Sequence, residues 1–121
     1  MASIHLAFYM KTGTIHIYKN TMRAIGEPRR VSLLLDESGN NLIVAPHKER
    51  DLKSHRVPEN FYTEKKDMEI HSKKLCKIMA DLHGWEFPLS YRIPGKVYSS
   101  QKIAVFDISS AICINRQLND L

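Results

Sequence analysis

The hydrophobic pattern of the first half of the chain predicts four strands joined by turns. Residues 4–10 alternate loosely between apolar and polar types, and residues 14–18 alternate cleanly, as half-buried strands do. Two apolar runs follow at 31–35 and 42–44, separated by the polar, glycine-containing segment 36–41. A segment of this kind between two apolar runs indicates an antiparallel hairpin.

A short helix is predicted between the second strand and this hairpin. Met22 and Ile25 are spaced for one apolar helix face, and either Asn20 or Thr21 is suited to cap the N-terminus. Gly26 is expected to end the helix, because glycine readily adopts the left-handed conformation that closes many helices.

The second half of the chain repeats this order of elements. Residues 68–70 alternate as a short strand, and Ser72 is a favourable N-cap for a helix over residues 73–83 that Gly84 ends. The apolar face of this helix has i, i+3, i+4, i+7 spacing and comprises Leu75, Ile78, Met79 and Leu82. We therefore expect Leu75, Ile78 and Leu82 to be buried.

The chain beyond this helix is predicted to hold two more extended segments. Residues 85–93 contain Pro88, which is typical of an edge strand or a bulged strand. Pro94 and Gly95 indicate a turn, and residues 102–108 form the last predicted strand. Two aromatic residues just after the helix are expected to anchor the core: Trp85 and Phe87.

The two halves align in pattern at an offset of 53 residues, so that Ile15 falls on Met68 and Ile17 on Ile70. We therefore predict an α+β fold of two strand–helix–hairpin units with short helices and a mixed or antiparallel sheet, related by a pseudo-twofold axis. The single domain would comprise a first unit at 1–46, a polar linker at 47–63, a second unit at 64–110 and a C-terminal tail at 111–121. One short strand is expected near 55–57.

Composition places the chain among small globular proteins. The 121 residues are 43% hydrophobic and 26% charged, which suits one domain. Apolar runs fall far short of the roughly 20 residues that span a bilayer, and the first ten residues lack the features of a secretory signal. The two cysteines form no spaced disulfide framework, so we expect a cytoplasmic protein without a membrane role.

Basic charge is concentrated in two windows of the sequence. The formal net charge is +5, and the windows at 19–30 and 65–77 supply this excess. A local basic excess favours an anionic partner such as nucleic acid, although it can also serve only solubility. The candidate nucleic-acid-binding residues are Lys19, Arg23, Arg29, Arg30, Lys73, Lys74 and Lys77.

Motifs for catalysis or for a metal are missing from the sequence. The six histidines lack the spacing of a zinc site, and the five glycines stand singly instead of forming a phosphate loop. Neither Cys76 nor Ser72 has an identifiable base beside it. We therefore expect no enzyme activity, no metal and no cofactor.

Residues 13–26 resemble the AbrB/SpoVT-type swapped-hairpin family of DNA-binding proteins. The family pattern Gly-x-Ile-x-Ile-Pro-Lys-x-x-x-x-Ala-Leu-Gly is matched at Gly13, Ile15, Ile17, Lys19, Ala24 and Gly26. Ile25 stands for the leucine, and Tyr18 replaces the proline. The resemblance implies interleaved hairpins that present basic residues to DNA, with Lys19 on a basic position of the pattern.

These observations predict a non-enzymatic protein that binds nucleic acid, most simply DNA in transcription regulation. The chain would act as a monomeric pseudo-dimer or as a homodimer, and the two basic windows would neutralise phosphates. The alternative is a protein–protein adaptor or structural module without a nucleic-acid role. Such an adaptor could add a partner strand at the expected edge near 85–93.

Overall fold

Antiparallel strands form one continuous sheet in the computed structural model, which describes residues 4–48 and 54–114. Within those residues the strands are β1 (Ile4–Tyr9), β2 (Thr14–Ile17), β3 (Arg30–Leu35), β4 (Asn41–Pro46), β5 (His55–Arg56), β6 (Met68–His71), β7 (Ser90–Tyr98), β8 (Ile103–Asp107) and β9 (Ile112–Cys113). The helices are α1 (Lys19–Ala24), α2 (Lys73–His83) and a 3-10 turn at Ile108–Ser110.

The sheet curls into a nearly closed barrel. Its strand order is β5-β3-β4-β8-β7-β1-β2-β6, and β9 pairs with β7. The two ends of the sheet are linked through the segment that precedes β6: the Tyr62 hydroxyl donates to the main-chain oxygen of Pro28 at 2.6 Å, and the Arg23 guanidinium donates to that of Tyr62 at 2.9 Å. Buried Phe61 fills the space beneath this segment.

The predicted α+β fold of two strand–helix–hairpin units is wrong, because most of the regular secondary structure in the described residues belongs to one antiparallel β-sheet. Strands from the two halves pair with each other instead of forming separate units: β2 pairs with β6, and β4 pairs with β8. The apolar faces are buried by the curling of one sheet and only secondarily by helices. This architecture also conflicts with an AbrB-like description of two α+β halves.

The barrel interior contains the apolar residues that alternate along each strand. Phe8 of β1, Leu42 of β4, Ile93 of β7 and Phe106 of β8 are all fully buried there. Trp85 is buried as expected, and its ring stacks on Tyr91 with centroids 4.4 Å apart. Phe87 was expected in the core but is 55% exposed, so only the first of the two predicted aromatic anchors is confirmed.

The predicted edge strand at 85–93 and the predicted turn at Pro94 and Gly95 are both wrong. β7 runs through the middle of the sheet, pairing with β1 from Ser90 to Gly95 and with β8 from Gly95 onward. A Cβ on Gly95 would meet the Phe106 ring and lie 2.7 Å from the Val105 carbonyl oxygen. Glycine therefore serves close strand packing at this position.

The predicted bounds of α2 are confirmed, but its predicted buried face is not. The Ser72 hydroxyl accepts from the Leu75 amide at 3.2 Å, and Gly84 ends the helix at φ +68°. Cys76 and Met79 are fully buried, whereas Leu82 is 57% exposed. The face of α2 that packs on the barrel is therefore rotated to one side of the predicted face. Leu75 and Ile78, both in the predicted face, are only half-buried.

The first helix starts earlier than predicted. α1 begins at Lys19 after Tyr18, whose side chain makes no capping hydrogen bond. The expected caps Asn20 and Thr21 lie inside the first turn, where the Asn20 side chain accepts from the Thr21 amide at 2.8 Å.

The segment predicted as a polar linker takes part in the barrel. β5 matches the short strand expected there, and Val57 and Phe61 are buried. Residues 1–3, 49–53 and 115–121 lie outside the described part of the chain, and with them most of the predicted tail at 111–121. Among the described residues, neither α-helix is long and apolar enough to cross a lipid bilayer.

Candidate functional site

A cleft of about 760 Å³ opens at the end of the barrel where β3 begins and β4 and β5 end. Four cationic side chains line it, together with two carboxylates, a histidine and a less polar floor. We call it the basic cleft; its lining residues are Glu27, Arg29, Arg30, His47, Lys48, Arg56, Val57, Pro58, Glu59 and Tyr62. The cations outnumber the carboxylates by two.

Backbone pairing brings these cations together from three separate segments. Arg30 pairs with Arg56 across the β3–β5 ladder, and the amide of His47 donates to the Arg30 carbonyl at 2.9 Å. The amide of Val57 donates to the carbonyl of Arg29, also at 2.9 Å. The main chain therefore fixes the positions from which the cationic side chains project.

Within the basic cleft, Arg30 is the most constrained cation. Its Nε donates to the Ser54 hydroxyl at 2.8 Å, and the side chain is half-buried. Arg29, Lys48 and Arg56 are exposed. Like charges on directly paired strand positions repel each other, so an anion held between Arg30 and Arg56 would relieve an unfavourable interaction.

Two uncharged side chains lie near the cations, Tyr62 in the cleft lining and His55 beside Arg30. Burial raises the pKa of the Tyr62 hydroxyl to about 12, with a further contribution from Glu27, so this tyrosine stays protonated. Burial and the nearby Arg30 lower the pKa of His55, which therefore remains neutral near pH 7. The Ser32 hydroxyl lies 2.7 Å from Nδ1 of His47 and orients that ring.

The first basic window of the sequence is divided by the structure. Arg29 and Arg30 line the basic cleft. Lys19 and Arg23 instead hold the segment before β6 against α1: the Lys19 ammonium contacts the Glu64 carbonyl and lies 4.6 Å from the centre of the Phe61 ring. Arg23 donates to the carbonyl of Tyr62.

The candidate lysines of the second basic window lie on α2 and do not line the basic cleft. Lys73, Lys74 and Lys77 are exposed there, and Lys77 pairs with Asp81 at 3.2 Å. The side chain of Lys73 lies against the β1–β2 turn at Gly13. Nucleic-acid binding by these three lysines stays a prediction.

Sequence reasoning missed Lys48 and Arg56, which complete the basic cleft. Both lie in the segment 47–63, where charges of both signs alternate and no window stands out. The only sequence signal that bears on Arg56 was the short strand expected near 55–57. A strand there must pair with a neighbouring strand, which brings its side chains beside those of that neighbour. Its pairing with β3 places Arg56 beside Arg30.

A second group of aromatic side chains covers the outside of β1 and β2. The Tyr18 ring lies between two imidazoles, with its centroid 4.7 Å from that of His5 and 4.9 Å from that of His16. Nε2 of His16 is 3.3 Å from Asp67, although the angle is not that of a hydrogen bond. Tyr18 thus projects opposite Ile15 and Ile17 and covers neighbouring side chains.

The Cys76 thiol is buried on α2. Burial raises the pKa of the Cys76 thiol, which favours its unreactive protonated form. Across residues 4–48 and 54–114, no three His, Cys, Asp or Glu side chains are grouped so that they could hold a metal ion.

Comparison with known proteins gives no family. No protein-family model, curated protein or solved structure matches this chain. These comparisons therefore neither support nor oppose the resemblance at residues 13–26. Nothing in the described cleft is specific to DNA or to transcription regulation, so those narrower expectations are dropped.

Proposed function

We propose that this protein binds nucleic acid, without catalysing a reaction, by holding the phosphodiester backbone in the basic cleft. The observation that carries this proposal is the convergence of Arg29, Arg30, Lys48 and Arg56 from three segments on one concave surface. Each phosphate that such a cation neutralises releases condensed counterions, which drives association.

An extended polyanion suits this cleft better than a single small phosphate does. Four cations line one cleft of about 760 Å³. A chain of phosphates can contact several of them at once. The floor formed by Val57, Pro58 and the neutral Tyr62 can pack against sugars or bases, while arginine can bind phosphate oxygens in a bidentate manner.

The test is the salt dependence of nucleic-acid binding, measured by fluorescence anisotropy with a labelled mixed-sequence duplex and its single strand. For duplex DNA, each lost phosphate contact reduces the slope of log affinity against log salt by about 0.9. The double variant Arg29→Gln/Arg56→Gln removes two exposed cations of the cleft. We expect it to bind more weakly than wild type and with a shallower slope.

The matched control is Lys66→Gln/Lys96→Gln, which removes the same charge from exposed positions outside the cleft. It should retain most of the wild-type affinity and slope. Equal losses in the two double variants would show that only net charge matters. An absence of binding by wild type at low salt would contradict the proposal.

A protein partner is the second candidate function, and it is favoured by an apolar row on the outside of the sheet. Leu34 of β3 pairs with Ile43 of β4, which pairs with Val105 of β8. Leu34 is 49% exposed. This face replaces the strand-addition site considered at 85–93, because β7 already has partners on both sides.

The salt dependence of binding also distinguishes nucleic-acid binding from binding of a protein partner. A contact made by the apolar row should persist at salt concentrations that release nucleic acid, and Leu34→Ser should weaken it. We infer a reducing, cytoplasmic setting for either activity, supported by the two thiols of Cys76 and Cys113, which form no disulfide.

A further inference from the structure

A groove of about 490 Å³ lies between α2 and the β1–β2 turn. We call it the helix groove. Met10, Cys76, Ala80 and Phe87 give it an apolar floor. Its charged lining residues are Lys11, Lys73, Lys77 and Asp81.

One face of α2 forms the long wall of the helix groove. Lys73, Cys76, Lys77 and Ala80 follow the i, i+3, i+4, i+7 spacing that places side chains on the same helix face. The opposite wall is the β1–β2 turn, which is fixed to the helix because the Ser72 amide donates to the Gly13 carbonyl at 2.9 Å.

The wall at the turn depends on the lack of a side chain at Gly13. A Cβ there would lie 2.9 Å from Cγ of Lys73, and the residue has φ +72°. The aliphatic part of Lys73 therefore packs closely on the turn, as long cationic side chains commonly do while keeping the charge in water.

The charges around the helix groove are not balanced. Lys77 pairs with Asp81 at 3.2 Å, whereas Lys11 and Lys73 have no ion-pair partner among residues 4–48 and 54–114. Phe87, on the floor, is 55% exposed. An apolar floor on which Phe87 is exposed and Ala80 is half-buried, beside two uncompensated cations, is complementary to a molecule that combines an apolar chain with an anionic group.

We propose that the helix groove binds a small amphipathic anion of the fatty-acid type. The alkyl chain would cover Met10, Ala80 and Phe87, and the carboxylate would pair with Lys73 and Lys11. The volume lies within the range of about 300–1,000 Å³ that small-molecule sites occupy. The groove shares no residue with the basic cleft, so this proposal stands apart from nucleic-acid binding.

The experiment is a titration of the full chain with decanoate, below its micelle concentration, followed by calorimetry and by amide chemical shifts. Decyltrimethylammonium has an alkyl chain of the same length and the opposite charge. We expect saturable binding of one decanoate per chain, with shifts centred on Gly13 and Ala80. Equal binding of the cationic amphiphile, or no saturable decanoate binding, would overturn the proposal.

Two pairs of variants test the charge and the floor separately. Lys73→Gln should weaken decanoate binding by at least about tenfold, as expected for the loss of a charged contact. Lys74→Gln changes the neighbouring exposed residue, which does not line the groove, and should leave affinity unchanged. Similar losses in both variants would overturn the proposal.

The second pair introduces a carboxylate into the same helix. Ala80→Glu places it in the groove and should abolish binding. Leu82→Glu places it on the exposed side and should not affect binding. Thermal melts establish that each variant is folded; if Ala80→Glu is not, Lys73→Gln alone decides. Unchanged decanoate affinity in a folded Ala80→Glu variant would overturn the proposal, and so would preferential binding of an acidic, apolar peptide over decanoate.

Discussion

Arg30 on β3 lies directly opposite Arg56 on β5 in the antiparallel ladder. Two cations in register repel each other, and the same pair lines the basic cleft. Their proximity therefore costs folding free energy that a bound anion can recover. The repulsion between Arg30 and Arg56 should therefore be detectable in measurements of unfolding free energy without a nucleic-acid ligand.

Arg56→Gln should stabilise the protein when no anion is bound. We expect the free energy of unfolding to rise by about 0.2–1 kcal/mol at low salt, the size of a cross-strand charge interaction, and this gain should shrink as salt screens the pair. Urea unfolding at two salt concentrations measures it. Arg56→Lys keeps the charge and should show no gain; a destabilised Arg56→Gln would contradict the expected repulsion.

Glu59→Gln should strengthen nucleic-acid binding. Glu59 is an exposed carboxylate in the lining of the basic cleft, where it repels phosphates. Removing its charge should improve affinity by about two- to fivefold at low salt, the equivalent of an exposed charge interaction of about 0.5–1 kcal/mol. Anisotropy titrations measure the change. The control is Glu69→Gln, an exposed position of β6 outside the cleft; equal gains would show that only net charge matters.

Met79→Ala should destabilise the fold far more than Leu82→Ala does. Met79 is fully buried and should cost about 2–5 kcal/mol when truncated. Leu82 is 57% exposed and should change stability by less than about 0.5 kcal/mol. Denaturant midpoints of the two variants provide the comparison. A larger loss in Leu82→Ala than in Met79→Ala would mean that α2 turns its Leu82 side toward the barrel.

Stability should fall as the pH drops below about 6.5. Burial, with a smaller contribution from Arg92, lowers the pKa of His5 beneath its ordinary value of 6.5. The unfolded chain therefore binds more protons than the folded chain in this range, which favours unfolding. Burial of His55 acts in the same direction.

His5→Gln should reduce this pH dependence. The measurement is the free energy of unfolding at about pH 7.5 and about pH 5.5 for wild type and variant, because protonation linkage predicts a smaller difference for the variant. Equal differences in the two proteins would show that His5 does not contribute.

Local sequence was sufficient for the elements whose hydrogen bonds close within a few residues. The bounds of α2 follow from the Ser72 cap and from Gly84 at φ +68°. The β3–β4 hairpin follows from its turn, where the carboxylate of Asp36 accepts from the amide and the side chain of Asn41. Each of these features depends on neighbours along the chain, which the sequence specifies directly.

Strand partners were decided only by the tertiary structure. The alternation of apolar and polar residues indicates which face of a strand is buried, but it does not indicate which strand lies beside it. The central position of β7, interpreted from Pro88 as an edge, shows this limit. The burial of Cys76 in place of Leu82 has a similar origin, since the rotation of α2 is set by the barrel surface that it covers.

The sequence by itself determined the apolar alternation, the caps of α2, the β3–β4 turn, the basic excess and the candidate residues Arg29 and Arg30. Only the tertiary structure joined those two arginines with Lys48 and Arg56, and separated them from Lys19 and Arg23, which hold α1 to its neighbour. The physical reason is that local signals act over a few residues, whereas a cleft forms where hydrogen-bonded ladders bring distant segments together. Here the ladder between β3 and β5 does so.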